Sequence, residues 1–283
     1  MSAITSNPLV RSITHDKLVN SSLLNRLGMQ VFRTIAAKAL YKVRPAKVDT
    51  SVRQQVTELQ REGMIVIPNF LPEEVFEGVQ NECISALDKE TIPNEIHDHG
   101  ATKVKIARLN KVADEQFPNT LRFYADPLIK HVFEAVEKRK FTDTASLWGA
   151  EHVTQGPADE EDRESSLHSD IFYNTHKAWL YLTDVEEKDG PLVFVRRSHK
   201  TSLNQLGHIY RHSVSPAQKS RRVHQAELDQ MGLKEEIMVS PKNTLVIANT
   251  CGYHRRLKGQ PGGQRYALHV SMRSQPFMVW KNK

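Results

Sequence analysis

Only two cysteines, Cys83 and Cys251, occur in 283 residues. They stand far apart, so the chain is not a disulfide scaffold, and a reducing, intracellular compartment is expected. No apolar run approaches the roughly 20 residues that cross a bilayer. Residues 1–18 lack the basic start and apolar core of a secretory signal, and the expected location is cytoplasmic. Aromatic residues make up only 7% of the chain, and its arginine clusters are not interleaved with a stacking platform, which argues against a nucleic-acid partner. Internal repeats are absent. Neither sign of charge dominates: 39 Lys and Arg face 33 Asp and Glu, a formal +6, so anionic partners are favoured without being specified.

What the chain does have is a pattern of metal-ligand types. In His168-Ser169-Asp170 a histidine and a carboxylate stand two apart, and on an extended segment both point to one side. A further histidine, His254, follows in Gly252-Tyr253-His254-Arg255. Two histidines and one carboxylate on one face of an iron leave the opposite positions open, the arrangement of non-haem Fe(II) oxygenases. Because the carboxylate is retained at Asp170, a halide has no vacancy to fill, and hydroxylation is expected over halogenation. Structural zinc prefers four closed ligands. The trio His97-Asp98-His99 lacks strand context and reads as loop.

Residues 20–43 read as one basic amphipathic helix, with Leu23, Leu24, Leu27, Val31, Ile35, Ala39 and Leu40 on one side and Arg26, Gln30, Arg33 and Lys38 largely on another. Its apolar stripe can dock on the body of the protein or lie in a membrane interface. The division expected is an N-terminal segment, 1–50, and one domain over 51–283. That domain opens helix (52–62), strand (64–68), helix (72–87), with a strand near 102–106 that displays a lysine inward, a helix over 127–138 and a strand over 144–153 carrying Trp148. Short strands are expected at 167–173, 177–184, 192–195, 237–239, 244–248 and 265–272. Residues 198–233, rich in Arg, Lys and His, are too long for an ordinary loop and form an insertion that reads equally as a substrate lid or as a poorly ordered surface excursion. A metal pair on an early strand and its partner on a late one fit a jelly roll or double-stranded β-helix, cupin-like and mostly β with flanking helices.

From about residue 59 onward the chain resembles the phytanoyl-CoA dioxygenase family of Fe(II)- and 2-oxoglutarate-dependent oxygenases. The resemblance rests on 63-GMIVIPNFL-71, the His168/Asp170 pair, 177-KAWLYLTDV-185, 190-GPLVFV-195, 198-SHK-200, 252-GYHR-255 and Arg265. It implies a double-stranded β-helix, His168, Asp170 and His254 as Fe(II) ligands, 2-oxoglutarate and O2 as cosubstrates, and Arg265 as partner of the far carboxylate. A planar guanidinium suits that role, offering two parallel charge-assisted hydrogen bonds. Lys103 and Trp179 match the family's further cosubstrate contacts. Two positions depart from the family pattern: Arg196-Arg197 replaces Pro-Gly, and Arg256 replaces a small hydroxyl residue.

The substrate is less legible. Arg196, Arg197, Arg221, Arg222, Arg255 and Arg256 are expected near the mouth of the site or in the insertion, favouring a substrate with carboxylate or phosphate. Together with the basic helix they resemble the bacterial Kdo hydroxylases, which act on the acidic octulosonic sugar of lipopolysaccharide precursors at the cytoplasmic face of the inner membrane. A soluble tailoring hydroxylase, an acyl-CoA hydroxylase and a non-catalytic cupin-like binding protein are the competing readings.

Overall fold

The structure is a computed structural model that describes residue 14 and residues 18–277 apart from 90–91, 110–115, 142–145, 158 and 216–221, with the backbone alone at 146–148. Its helices are α1 (Ser22–Arg26), α2 (Met29–Val43), α3 (Arg53–Glu62), α4 (Glu73–Asp88), α5 (Pro118–Tyr124), α6 (Pro127–Glu137), α7 (Leu203–Val214) and α8 (Gln225–Met231). Its strands are β1 (Met64–Ile67), β2 (Asn94–Asp98), β3 (Thr102–Ala107), β4 (Ser146–Gln155), β5 (His176–Tyr181), β6 (Leu192–Val195), β7 (Glu235–Ile237), β8 (Leu245–Asn249), β9 (His254–Arg256) and β10 (Gln264–Met272). Seven strands form one antiparallel sheet in the order β1-β8-β5-β10-β4-β3-β2, and three form another in the order β7-β6-β9.

Alternation along the central strands sorts side chains between the two layers. Ala178 and Leu180 of β5, Leu245 and Ile247 of β8, and Leu268, Val270 and Met272 of β10 join the main core with Val56 and Leu59 of α3, Phe76 and Val79 of α4, and Phe133 of α6. Burying each large side chain of this set contributes roughly 1.5–3 kcal/mol. The intervening residues face the smaller sheet, where Tyr181, Val246, Ala248 and Ala267 pack with Phe194. One face of the large sheet therefore carries the helices and the other encloses the interior.

Several expected elements shift. Residues 20–43 are two helices, broken at Gly28 with φ 82°. Residues 167–173 form no regular strand, and His168 pairs only through isolated bridges. The stretch expected as loop over 91–100, of which residue 91 lies outside the described residues, contains β2, paired with β3 from Asn94↔Ala107 to Asp98↔Lys103. The 198–233 insertion carries α7 and α8, and Ser202 caps α7 by accepting from Gln205 N while Gln205 Oε1 accepts from Ser202 N.

Gly63 ends α3 in the left-handed region at φ 84°, and its carbonyl accepts from Asn249 N. A Cβ there would lie 2.4 Å from His199 Nδ1. Gly63→Ala should therefore cost about 2 kcal/mol or more, combining backbone strain with that contact, and is read as a lower urea midpoint at unchanged slope. His199 itself is pushed down to about 4 by burial. The unfolded chain, with an ordinary value near 6.5, binds the proton more readily between these limits. Stability should fall as the pH drops from about 6.5 towards 4 and be insensitive to this group above 7, as urea midpoints across that range would show.

Candidate functional site

Two backbone hydrogen bonds build the site. His168 N donates to His254 O at 2.9 Å, and His254 N donates back to His168 O at 2.8 Å. Residues that exchange both bonds stand directly opposite each other with side chains on one face, and the two imidazoles lie 4.7 Å apart, centroid to centroid. β9 holds His254 through its pairing with Phe194 of β6. Two residues on, Asp170 N donates to Thr250 O at 2.9 Å, a second backbone tie that fixes a segment belonging to no regular strand. Ser198 Oγ accepts from Tyr253 N at 2.7 Å and donates to Val195 O, and His199 Nε2 bonds Gln60 O. Ser198 of the sequence pattern thus pins the turn before His254, and His199 ties the same corner to the last turn of α3.

One ligand atom from each of His168, Asp170 and His254 lies within 4.8 Å of the others. The chemistry of this donor set fits a metal ion. His168 Nδ1 lies 2.9 Å from Ser166 O, and His254 Nδ1 lies 3.0 Å from Gly252 O. A carbonyl only accepts, so each Nδ1 carries the proton; His254 Nε2 is thereby left with its lone pair, the tautomer a metal needs, whereas His168 Nε2 faces the Glu164 carboxylate at 3.2 Å and is open to a metal once that contact gives way. His254 Nε2 lies 3.7 Å from Asp170 Oδ1. Burial pushes His254 down to about 4, Asp170 opposing and His168 and Lys177 adding to the shift, so its ring is neutral near pH 7. Burial works against ionisation of Asp170, but Lys177, at 2.7 Å, and His254 hold its carboxyl well below the usual range. A cation beside Asp170 is what the site demands, and Lys177 supplies one.

A cavity of about 380 Å³ surrounds this group. Its wall includes five Arg and Lys side chains, Arg108, Lys177, Arg255, Arg256 and Arg265, against three carboxylates, Glu151, Glu164 and Asp170. Three of these cations are paired with carboxylates behind the wall, Arg108 with Glu95, Arg255 with Glu235 and Arg256 with Asp162, which leaves Arg265, hydrogen-bonded to backbone carbonyls, suited to an anionic ligand. Arg265 opens the inward face of β10. Burial pushes its guanidinium down to about 10, and its Nη1 donates to the carbonyls of Asp189 and Gly190. Trp179 stacks on His269 at 5.4 Å. Burial disfavours the ionised form of Glu151, yet His269 at 2.9 Å, with Arg265 and Lys177 beyond it, holds that carboxyl down at about 2. The Glu164 carboxylate, held at about 2 chiefly by its hydrogen bond to His168, lies 3.2 Å from His168 Nε2.

The structure thus brings His168, Asp170, His254, Arg265, Trp179, Arg255 and Arg256 to one cavity. Lys103 is a correction. It is exposed on β3, while its neighbours Val104 and Ile106 face the cavity, because alternation turns it to the opposite side. Arg196 and Arg197 are corrected too, since neither lines the cavity. Arg196 pairs with Glu236 of β7, and Arg197 with Glu62 at the end of α3, tying the end of β6 to its neighbours. Arg255 is engaged by Glu235 at 2.6 Å and Arg256 by Asp162 at 3.3 Å. Arg222 lies outside the wall and donates to Arg163 O, and Arg221 lies outside the described residues. His97 and His99, expected on a plain loop, line the cavity from β2 and just beyond it. Lys177 escaped the sequence reading although a signal for it existed: it stands two residues before Trp179 and four before Tyr181, on the same face of β5.

A second group of possible ligands, His208 and His212 of α7 with Glu227 of α8, lies outside this cavity wall. Glu227 Oε1 is 2.8 Å from His208 Nδ1 and 3.5 Å from His212 Nε2, a bridge that ties the two helices of the insertion together.

The family profile described as phytanoyl-CoA dioxygenase (PhyH) matches residues 59–231, a span that contains His168 and Asp170 and stops short of His254 and Arg265. No curated protein sequence matches significantly. Among solved structures, the non-heme alpha ketoglutarate dependent epimerase SnoN from nogalamycin biosynthesis aligns over 78% of this chain and 83% of its own, at 15% identity and a TM-score of 0.51. The same epimerase in complex with Fe3+, alpha ketoglutarate and nogalamycin RO aligns over the same shares at 15% identity with a TM-score of 0.52. A prolyl-4-hydroxylase from Pseudomonas putida aligns over 77% of this chain and 96% of its own, at 15% identity and a TM-score of 0.46. The SnoN alignments establish the shared double-stranded β-helix fold.

One equivalent of Co(II), a redox-stable divalent probe, should bind the protein. Asp170→Ala and His254→Ala should each weaken it by more than the roughly 10- to 100-fold typical of losing an outer partner, as titration calorimetry would measure.

Proposed function

The chain belongs to the phytanoyl-CoA dioxygenase family of Fe(II)- and 2-oxoglutarate-dependent oxygenases, and from that premise we propose that His168, Asp170 and His254 hold the iron, Arg265 holds the far carboxylate of 2-oxoglutarate, and the substrate is an acid. The observation that carries this reading is the reciprocal pairing of His168 with His254, which faces two Nδ1-protonated imidazoles and Asp170 towards one point. When bound, iron with 2-oxoglutarate and O2 supplies hydroxylation of an unactivated C–H bond, with the cosubstrate decarboxylated to succinate.

This chain's own residues position and shield. The carbonyls of Ser166 and Gly252 hold the two rings in orientation. Arg265, itself oriented by the Asp189 and Gly190 carbonyls, presents a planar fork to a diacid. Trp179 and Tyr181 give the same wall aromatic surface, which excludes water from the space between metal and guanidinium. Lys177 neutralises Asp170 while no metal is bound and is free to turn to an anionic ligand afterwards. The rim cations Arg108, Arg255 and Arg256 favour a carboxylate or phosphate on the substrate, and the Kdo sugar of a lipopolysaccharide precursor is the acid that the sequence resemblance points to. Such a glycolipid would place the enzyme peripherally on the cytoplasmic face of the inner membrane.

Succinate release in the presence of Fe(II), 2-oxoglutarate and O2 tests the assignment. Kdo-bearing lipid A precursor should stimulate it more than acyl-CoAs or small acids do, and stimulation by the latter alone would remove the glycolipid from consideration. Asp170→Ala should lower turnover by at least about 100-fold, because the metal is lost rather than merely mispositioned. Arg265→Lys should raise the KM for 2-oxoglutarate about 10-fold or more with a smaller change in kcat, whereas Lys103→Met should leave both unchanged.

A further inference from the structure

The two N-terminal helices are packed inside out. On α2 the residues turned towards the protein are Gln30, Arg33, Thr34 and Ala37, all at most 3% exposed. Arg33 lies over the Phe172 ring at 4.0 Å. Lys38 Nζ donates to Asn174 Oδ1 at 2.6 Å and His199 O at 3.0 Å, and the Tyr41 hydroxyl donates to Val136 O at 2.6 Å. Lys138 donates to the carbonyls of Tyr41 and Arg44 at the helix end. The helix is therefore fastened to the body through its polar side. Facing solvent are Phe32 at 65%, Ile35 at 47% and Val43 at 76%, with Leu23 at 67% and Leu27 at 75% on α1. Phe32, Ile35, Ala39 and Val43 recur at spacings of three and four, a single stripe along α2.

A helix kept only for packing would bury that stripe. Its charge surroundings identify what covers it instead. From Lys17 to Val48 the sequence contains seven Lys and Arg and no Asp or Glu. Arg26, Lys42 and Lys47 are exposed beside the apolar residues, and Lys42 sits on the shoulder of the stripe. A second copy of the chain would oppose this positive surface with its own, which disfavours self-association. An anionic bilayer meets both requirements at once, taking apolar side chains below its phosphates and lysine and arginine heads among them. At 15 residues α2 is too short to cross a bilayer, and no described helix is long and apolar enough to do so.

We propose that α1 and α2 form an in-plane docking surface for an anionic membrane, with Leu23, Leu27, Phe32, Ile35 and Val43 in the acyl boundary and Arg26, Lys42 and Lys47 at the phosphates. The surface rests on the proposed function only for its purpose, access to a lipid-borne acid, and on α1 and α2 alone for its existence.

The test is flotation of the full-length protein with vesicles of phosphatidylcholine alone or of phosphatidylcholine with one quarter phosphatidylglycerol. Binding is expected to the anionic vesicles, weakening as salt is raised. Phe32→Ser with Ile35→Ser, both at exposed positions, should abolish flotation while leaving the circular dichroism melt in place. The triple change Arg26→Gln, Lys42→Gln and Lys47→Gln should weaken it on the order of 100-fold, from about 1 kcal/mol per cation. Equal binding to neutral vesicles, no binding to either, or a dimer in sedimentation that the two serines dissolve would each overturn the proposal. The two readings part cleanly. Flotation without turnover of the glycolipid leaves the docking surface standing and removes the substrate, whereas turnover of micellar glycolipid by a protein that does not float removes the docking surface.

Discussion

The pair of hydrogen bonds between His168 and His254 is the constraint on which the site depends. It joins an irregular segment between β4 and β5 to a three-residue strand of the smaller sheet, and neither holds a metal geometry alone. Once they are paired, the distance between the two imidazoles follows from strand geometry rather than from side-chain packing. The bonds are backbone bonds, so side-chain substitutions in the cavity leave them in place. What they do require is that both segments be pinned from outside, which Thr250, Ser198 and the pairing of Phe194 with His254 accomplish.

A buried carboxylate extends that pinning to the helical layer. Glu137, 1% exposed at the end of α6, accepts from His176 N and faces His176 Nδ1 at 2.6 Å through one oxygen, while the other accepts from Ser274 N. It therefore joins the start of β5, the segment after β10 and the helix that packs beneath both. Those are the two strands that carry Lys177, Trp179, Arg265 and His269. Leaving a buried charge without its partners typically costs about 3–5 kcal/mol, which makes this group a strong determinant of how β5 and β10 sit side by side.

Electrostatics in the cavity follows from crowding opposite charges away from water. Asp170 and Glu151 stay ionised against their burial because Lys177 stands beside the first and His269, with Arg265 beyond it, beside the second. Positive charge recurs on the exposed side of α1 and α2, at Arg26 and Lys42. The arginines that looked like substrate ligands are mostly held by glutamates and aspartate, Arg196 by Glu236 and Arg255 by Glu235, and their first role is to fasten the short strands of the smaller sheet.

Local signals determined a good part of this protein. The spacing of His168 and Asp170, the later His254, the two-residue period of β10 and the glycine that stops α3 could each be read without any contact in view, because each depends on a few consecutive residues. Alternation along 265–272 puts Arg265 and His269 on one face by sequence alone. Three matters were left to tertiary structure. Whether a lysine points into the cavity depends on strand register, which turned Lys103 outward and Lys177 inward. Whether an arginine is available depends on which carboxylate a distant strand brings beside it. And an amphipathic helix has two faces whose existence is a matter of sequence, while which of them meets the body is decided by the surface it lands on: for α2 that surface offers Phe172, Asn174 and open carbonyls, so the polar side went in and the apolar side stayed out.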